Sequence, residues 1–173
     1  GIKTVYDAIL HGIQLGGNRP HFSFRQSSDQ PYKSYTHKQV SEIIKEIGSG
    51  IVHIGLKPAN ETFFWYLWII IDELCLMSLF SLAIFNGSHS QSAVELIFVD
   101  DLQRIENLIE WKDEILTLKT IVCFIQPTDQ LIKLANEKQL NLLTLEQLRE
   151  MGRNNPIELV PPKPTDTAVI MYT

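Results

Sequence analysis

Few residues in this sequence could do chemistry, and each belongs to a short local pattern. Ser49 lies between two glycines, in Gly48-Ser49-Gly50. A serine on a sharp strand-to-helix turn can be an exposed nucleophile, but no strand precedes Ser49 to build that turn, so close packing of the two glycines is the expected role. Asp100-Asp101 follows the apolar run Glu95-Leu96-Ile97-Phe98-Val99. Paired carboxylates at the end of a strand can hold Mg²⁺ when later strands end in Asp and Lys. Here those strands end in Ile125-Gln126, Leu143-Thr144 and Tyr172-Thr173. The pair is therefore expected to cap a helix. His11, His21, His37, His53 and His89 are too dispersed to suggest metal ligation. No Walker-type phosphate loop, dinucleotide fingerprint, nucleophile elbow or His-Glu-x-x-His pair is present. No catalytic residue and no metal ligand is assigned.

The elements that would carry these residues are legible. Thr4 can cap a helix whose apolar face holds Val5, Ile9 and Ile13, stopped by Gly16-Gly17-Asn18. The runs 21–24 and 32–35 read as a hairpin. Thr36 and Gln39 make a capping box over Val40, Ile43, Ile44, Ile47, Ile51 and Ile54, with Gly55 at the left-handed cap position and Pro58 beyond it. The second half alternates: a strand at 95–99, a helix capped by Asp100 or Asp101, a strand at 119–125, a helix from Asp129, and a strand at 140–143. A helix begun by Thr144 and Gln147 and ended by Gly152 follows, then a Pro-rich linker at 153–166 and a strand at 167–172. Unbroken apolar strands alternating with helices predict a partial, doubly wound, mostly parallel α/β sheet with helices on both faces. Ligands in such sheets bind beyond the carboxyl ends of the strands.

Composition excludes some classes. The 173 residues carry a net charge of −5, and the 15 basic residues are scattered, so no nucleic-acid surface is expected. Cys75 and Cys123 both sit in apolar runs, where a thiol packs as a small hydrophobe, and this fits a reducing, intracellular compartment. Asn60-Glu61-Thr62 and Asn86-Gly87-Ser88 match the glycosylation pattern and are read as chance matches. Residues 63–85 are apolar at 19 of 23 positions, long enough to span a bilayer. Asp72 and Glu73 near the middle cost about 2.5 to 3.5 kcal/mol each on the insertion scale and offset the aliphatics. Both a membrane span and a buried strand leading into a core helix stay open for this stretch.

The closing segment, Asp166-Thr167-Ala168-Val169-Ile170-Met171-Tyr172-Thr173, reads as a buried strand reaching its carboxyl end with a hydroxyl. A phosphate loop would begin there. With it, Thr4-Val5-Tyr6-Asp7 with Gly12 and Arg25, Pro31 to Thr36 with Val40, Gly48 and Gly55, and Leu96 to Asp100 through Leu118 to Val122 resemble the long-chain acyl-CoA synthetases of the adenylate-forming superfamily.

The resemblance covers most of the chain. It implies an incomplete N-terminal subdomain, residues 1–173, of an AMP-binding ligase domain. ATP, Mg²⁺ and CoA would be cofactors of the whole enzyme, a long-chain fatty acid its substrate, and the cytosolic face of the endoplasmic reticulum or mitochondrial outer membrane its place. In that family the last strand runs into a Ser/Thr/Gly-rich phosphate loop, of which only Thr173 is present, so Thr173 is the one nucleotide-binding residue implied. Gly1 in place of Met, and an ending inside an apolar run, are expected of a piece of a longer chain. The region 58–92 is shorter than the family pattern, and both a real variant and a gene-model error would produce that. Two other readings are a non-catalytic α/β binding module and a membrane-anchored protein using residues 63–85.

Overall fold

In the computed structural model, residues 1–25, 29–56, 95–158 and 160–165 are described. The apolar run 63–85 with Asp72, Glu73 and Cys75, both Asn-x-Ser/Thr matches, His89, and the closing segment 166–173 with Thr173 lie outside them.

The chain opens with α1 (Val5–Gly16), capped by a full reciprocal box: the Asp7 amide donates to the Thr4 hydroxyl, and the Asp7 carboxylate accepts from the Thr4 and Lys3 amides at 3.0 and 2.9 Å. The antiparallel hairpin β1 (Pro20–Phe24) and β2 (Lys33–Thr36) follows, with an irregularity in register between Pro20 and Phe22. Its last residue, Thr36, caps α2 (His37–His53) through the box with Gln39. One residue past the C-cap Ile54, Gly55 takes φ +98°, a conformation that suits glycine.

The second half is a parallel sheet of β3 (Leu96–Val99), β4 (Thr120–Cys123) and β5 (Asn141–Thr144), side by side in chain order. The crossovers carry α3 (Leu102–Glu110) with a short 3₁₀ turn, and α4 (Asp129–Glu137). After β5 comes α5 (Leu145–Asn154). The strands sit one or two residues inside the expected 119–125 and slightly beyond 140–143.

Alternation along the strands sorts side chains onto two faces. Leu96, Phe98 and Val122 pack with Val40, Ile44, Ile47 and Ile51 of α2 and Leu148 of α5. Ile97, Val99, Ile121 and Cys123 pack with Ile105, Leu108 and Ile109 of α3 and Leu131 and Ala135 of α4. Both faces are thus covered, as a fully apolar parallel sheet requires. Each buried aliphatic side chain contributes about 1.5 to 3 kcal/mol.

Close approach of α2 and α5 explains their glycines. A methyl at Gly50 would fall within 3.0 Å of the Leu148 carbonyl oxygen, and one at Gly152 within 3.0 Å of the Glu46 carbonyl oxygen. Gly152 therefore does not end α5 as expected. It is a buried interior position, and the helix runs on through Arg153 and Asn154, the first residues of the expected linker. Arg149 and Arg153 tie the seam to Glu46, at 2.8 and 3.6 Å.

Candidate functional site

The carboxyl ends of β3, β4 and β5 form the edge at which an α/β sheet binds ligands. Polar groups there are already occupied in starting helices. Past β3, the Asp101 carboxylate accepts from the Arg104 amide at 3.0 Å, and Asp100 pairs with the Arg104 guanidinium at 3.2 Å. The helix-cap expectation for this pair holds. Past β4, the Thr128 hydroxyl accepts from the Leu131 amide at 3.3 Å. Past β5, the Thr144 hydroxyl accepts from the Gln147 amide at 3.2 Å while the Gln147 side chain accepts from the Thr144 amide at 2.8 Å. The sequence reading placed Asp129 at the start of α4 and missed Thr128 as its cap; a Thr followed by Asp and an apolar run is the signal that would have found it.

Two nucleophile types among the described residues, Ser49 and Cys123, are buried. Ser49 is 2% exposed inside α2, and its hydroxyl accepts from the Ile157 amide at 3.2 Å. It ties the chain after α5 back onto α2. Cys123 is a free, buried thiol on β4, and burial pushes its pKa up to about 12. Among the described residues no three His, Cys, Asp or Glu side chains converge as metal ligands, and no helix is long and apolar enough to cross a membrane. Thr173 lies outside the described residues.

The histidines are less dispersed than their spacing implies. His21 on β1 and His37 at the start of α2 meet, Nδ1 to Nδ1, at 3.0 Å. The irregular register produces this: His21 is the extra residue between Pro20, which opposes Thr36, and Phe22, which opposes Tyr35, so it sits at the end of the hairpin where His37 follows Thr36. Burial lowers the pKa of His21, and the His37 charge lowers it further. The pair stands at a cavity of about 240 Å³ walled by Val5, Ala8, Ile9, Gly12, Ile13 and Val40.

The geometry is that of a supporting sheet with capped helices, and solved structures share it. The adenylation domain of a carboxylate reductase from Mycobacterium chelonae matches with a TM-score of 0.65 at 8% identity, over 88% of this chain and 29% of that one. The A-PCP didomain of the carboxylic acid reductase from Segniliparus rugosus, solved with AMP, matches with a TM-score of 0.57 at 11% identity, over 90% of this chain and 27% of that one. The chain therefore shares the fold of the part of these adenylation domains that it matches.

Sequence relatives narrow the likeness. Over 99% of its length the chain is 27% identical to long-chain-fatty-acid–CoA ligase 5 of Rattus norvegicus, and 28% identical to long-chain-fatty-acid–CoA ligase 1 of Homo sapiens. Long chain acyl-CoA synthetase 1 of Arabidopsis thaliana is 26% identical over the same share. No family model matches. The resemblance to long-chain acyl-CoA synthetases thus extends over nearly the whole chain, which spans 27 to 28% of the length of these relatives. The alignment with the rat enzyme runs over 188 positions against the 173 residues here, so that enzyme carries residues this chain lacks.

Proposed function

We propose that this chain serves as the N-terminal scaffold of an ATP-dependent long-chain fatty-acid–CoA ligase and has no ligase activity alone. The observation that carries the reading is the match of 99% of the chain to one stretch of several such ligases, supported by the adenylation-domain fold. In the whole reaction a fatty-acid carboxylate oxygen attacks the α-phosphorus of ATP, and pyrophosphate leaves. The CoA thiol then attacks the acyl carbon of the adenylate, and AMP leaves. In this reading the described residues support the reaction as scaffold and take part in neither step: their polar groups at the sheet edge cap helices, and Ser49 and Cys123 are buried.

What the scaffold supplies is a fixed sheet. Both faces are packed, and the Ser49–Ile157 hydrogen bond anchors the chain between α5 and the segment ending in Thr173. Thr173 is the one residue read as touching nucleotide phosphate, by its place in the family motif. A long-chain substrate partitions into bilayers, so the reading carries with it a membrane-associated enzyme on a cytosolic face.

Three measurements test this. The isolated chain should release no AMP from ATP with palmitate present. Exchanged for the matching stretch of the rat ligase, it should support palmitoyl-CoA formation, and Thr173→Ala in that chimera should raise the KM for ATP. A chimera that folds yet makes no acyl-adenylate would overturn the assignment, as would palmitate-dependent AMP release by the isolated chain.

A further inference from the structure

The hydrogen bond between His21 and His37 has no part in the proposed ligase chemistry, and it closes a junction of three elements. His37 opens α2, and two amides of that first turn are satisfied by the connection between α1 and β1. The His37 amide donates to the Arg19 carbonyl at 3.2 Å, and the Lys38 amide donates to the Gly17 carbonyl at 3.0 Å. The His37 ring lies directly on Gly16, the last residue of α1, where a methyl group would fall within 3.0 Å of the imidazole. The His21 ring meets it edge-on from β1, with centroids 4.3 Å apart and planes at 68°. Gly16 is the one fully buried residue of α1, so this junction is the closest hold that α2 has on that helix.

From this geometry we infer that His21 and His37 form a proton-operated latch between the start of α2 and the α1–β1 connection, opened when the pair takes up its second proton. An N–H···N bond needs a hydrogen on one Nδ1 and a lone pair on the other. Two neutral rings meet that need when the donor carries its hydrogen on Nδ1 and the acceptor carries its own on Nε2. One added proton goes to the free Nε2 of the donor ring, and the bond becomes charge-assisted. The lone pair then left is the Nδ1 that accepts the bond. A second proton occupies it, and two like charges face each other across the 3.0 Å contact. The positive end of the α2 dipole opposes a charge on His37 as well. The other charged groups around the junction are Asp7 and His11 on α1, Arg19 in the connection, Arg25 after β1, Lys33 on β2, and Lys38 and Glu42 on α2. Asp7 is bound to the Lys3 and Thr4 amides, the Arg19 guanidinium donates to the Leu15 and Gly16 carbonyls, and Arg25 lies over the Tyr32 ring. Partial burial, then the His37 charge, lowers the His21 pKa from its ordinary 6.5. The closed latch therefore contributes stability above pH 6.5 and loses it as pH falls through the lower, folded value. His21 is exposed, so protons reach the pair without prior unfolding.

Nitrogen NMR and amide hydrogen exchange of the full chain, from about pH 7.5 down to about pH 5, test the latch. At the upper end a scalar coupling between the two Nδ1 nuclei should report the bond. As pH falls through the His21 titration, that coupling should vanish. Over the same interval the protection of the His37 and Lys38 amides, corrected for intrinsic exchange, should fall about tenfold. The amides of Ile47 and Ile51, deeper in α2, should stay protected. His21→Gln and His37→Gln should each flatten the pH dependence at the Lys38 amide, while His11→Gln and His53→Gln leave it in place. Far-ultraviolet circular dichroism checks that each variant folds, and the unsubstituted chain decides the matter by itself if one does not. A coupling that survives the titration, junction amides whose protection does not follow it, or an unchanged release in the His21→Gln/His37→Gln double variant overturns the inference.

Discussion

Among the described residues helix α2 packs against two other helices and meets them in opposite ways. Against α5 it comes to backbone contact, with Gly50 and Gly152 each giving up a side chain so that the carbonyls of Leu148 and Glu46 can approach. Against α1 only its first residue comes close, the His37 ring on Gly16, and beyond that the two helices leave the cavity beside His21 and His37. The apolar residues differ to match. Ile47, Ile51 and Leu148 are at most 2% exposed, whereas Val5 on α1 is 40% exposed. One seam supports the sheet and has no slack. The other leaves room, and polar ring nitrogens collect there.

Glycine-to-alanine changes should separate the two seams most sharply. Gly152→Ala drives a methyl into a backbone oxygen that no rotamer change can move, so a loss of about 3 kcal/mol or more is expected. Gly50→Ala meets the same kind of obstacle at Leu148 and should also destabilise strongly. Gly12→Ala on α1 meets nothing within 4 Å and should stabilise by about 0.5–1 kcal/mol through helix propensity. Urea unfolding of the three variants checks this. Equal losses at Gly152 and Gly12 would erase the distinction between the seams.

A smaller effect sharpens the α2–α5 side alone. Glu46 and Arg149 are each about four-fifths buried and meet at 2.8 Å, with Glu146 as a second partner of Arg149 at 3.2 Å. A double-mutant cycle over Glu46→Gln and Arg149→Met should return a coupling of about 1 kcal/mol, at the top of the range usual for exposed pairs. A value indistinguishable from zero would leave the glycines and Leu148 as the whole of the seam.

The smallest effect belongs to the start of α1. The Lys3 amide, followed by the Thr4 hydroxyl and amide, holds the Asp7 carboxyl below its ordinary value. A carboxyl lowered in the folded state contributes stability above its unfolded pKa and loses it as pH falls through the folded one. The amides of residues 4–8 should therefore lose exchange protection at acid pH before those of α2 do, and Asp7→Asn should remove that difference.

How much of this was readable from the residues follows from how local each feature is. The boxes at Thr4, Thr36 and Thr144 involve groups three residues apart, so the sequence contains both halves of each. The stripe on α2 and the unbroken apolar strands likewise state their own burial. Gly48-Ser49-Gly50 announced a close neighbour without saying which, because the partner helix lies about a hundred residues downstream. Gly152 was misjudged for the same reason: a glycine near the end of a helical pattern looks like a stop until the opposing carbonyl is known. The histidine pair needed the hairpin register as well as the hairpin. Of the candidate nucleotide site, Thr173 is legible only through its motif, since its surroundings lie outside the described residues.

The bond between Glu46 and Arg149 joins residues 103 apart, and that between Ser49 and Ile157 joins residues 108 apart. On a ribosome the α2–α5 seam must wait for α5 to emerge, while β3, α3 and β4 can close among themselves as soon as they are made. Until then the stripe of Val40, Ile44, Ile47 and Ile51 has Leu96, Phe98 and Val122 of the sheet to pack on but lacks Leu148. Pulse-labelled hydrogen exchange during refolding should find the amides of β3 and β4 protected before those of α5.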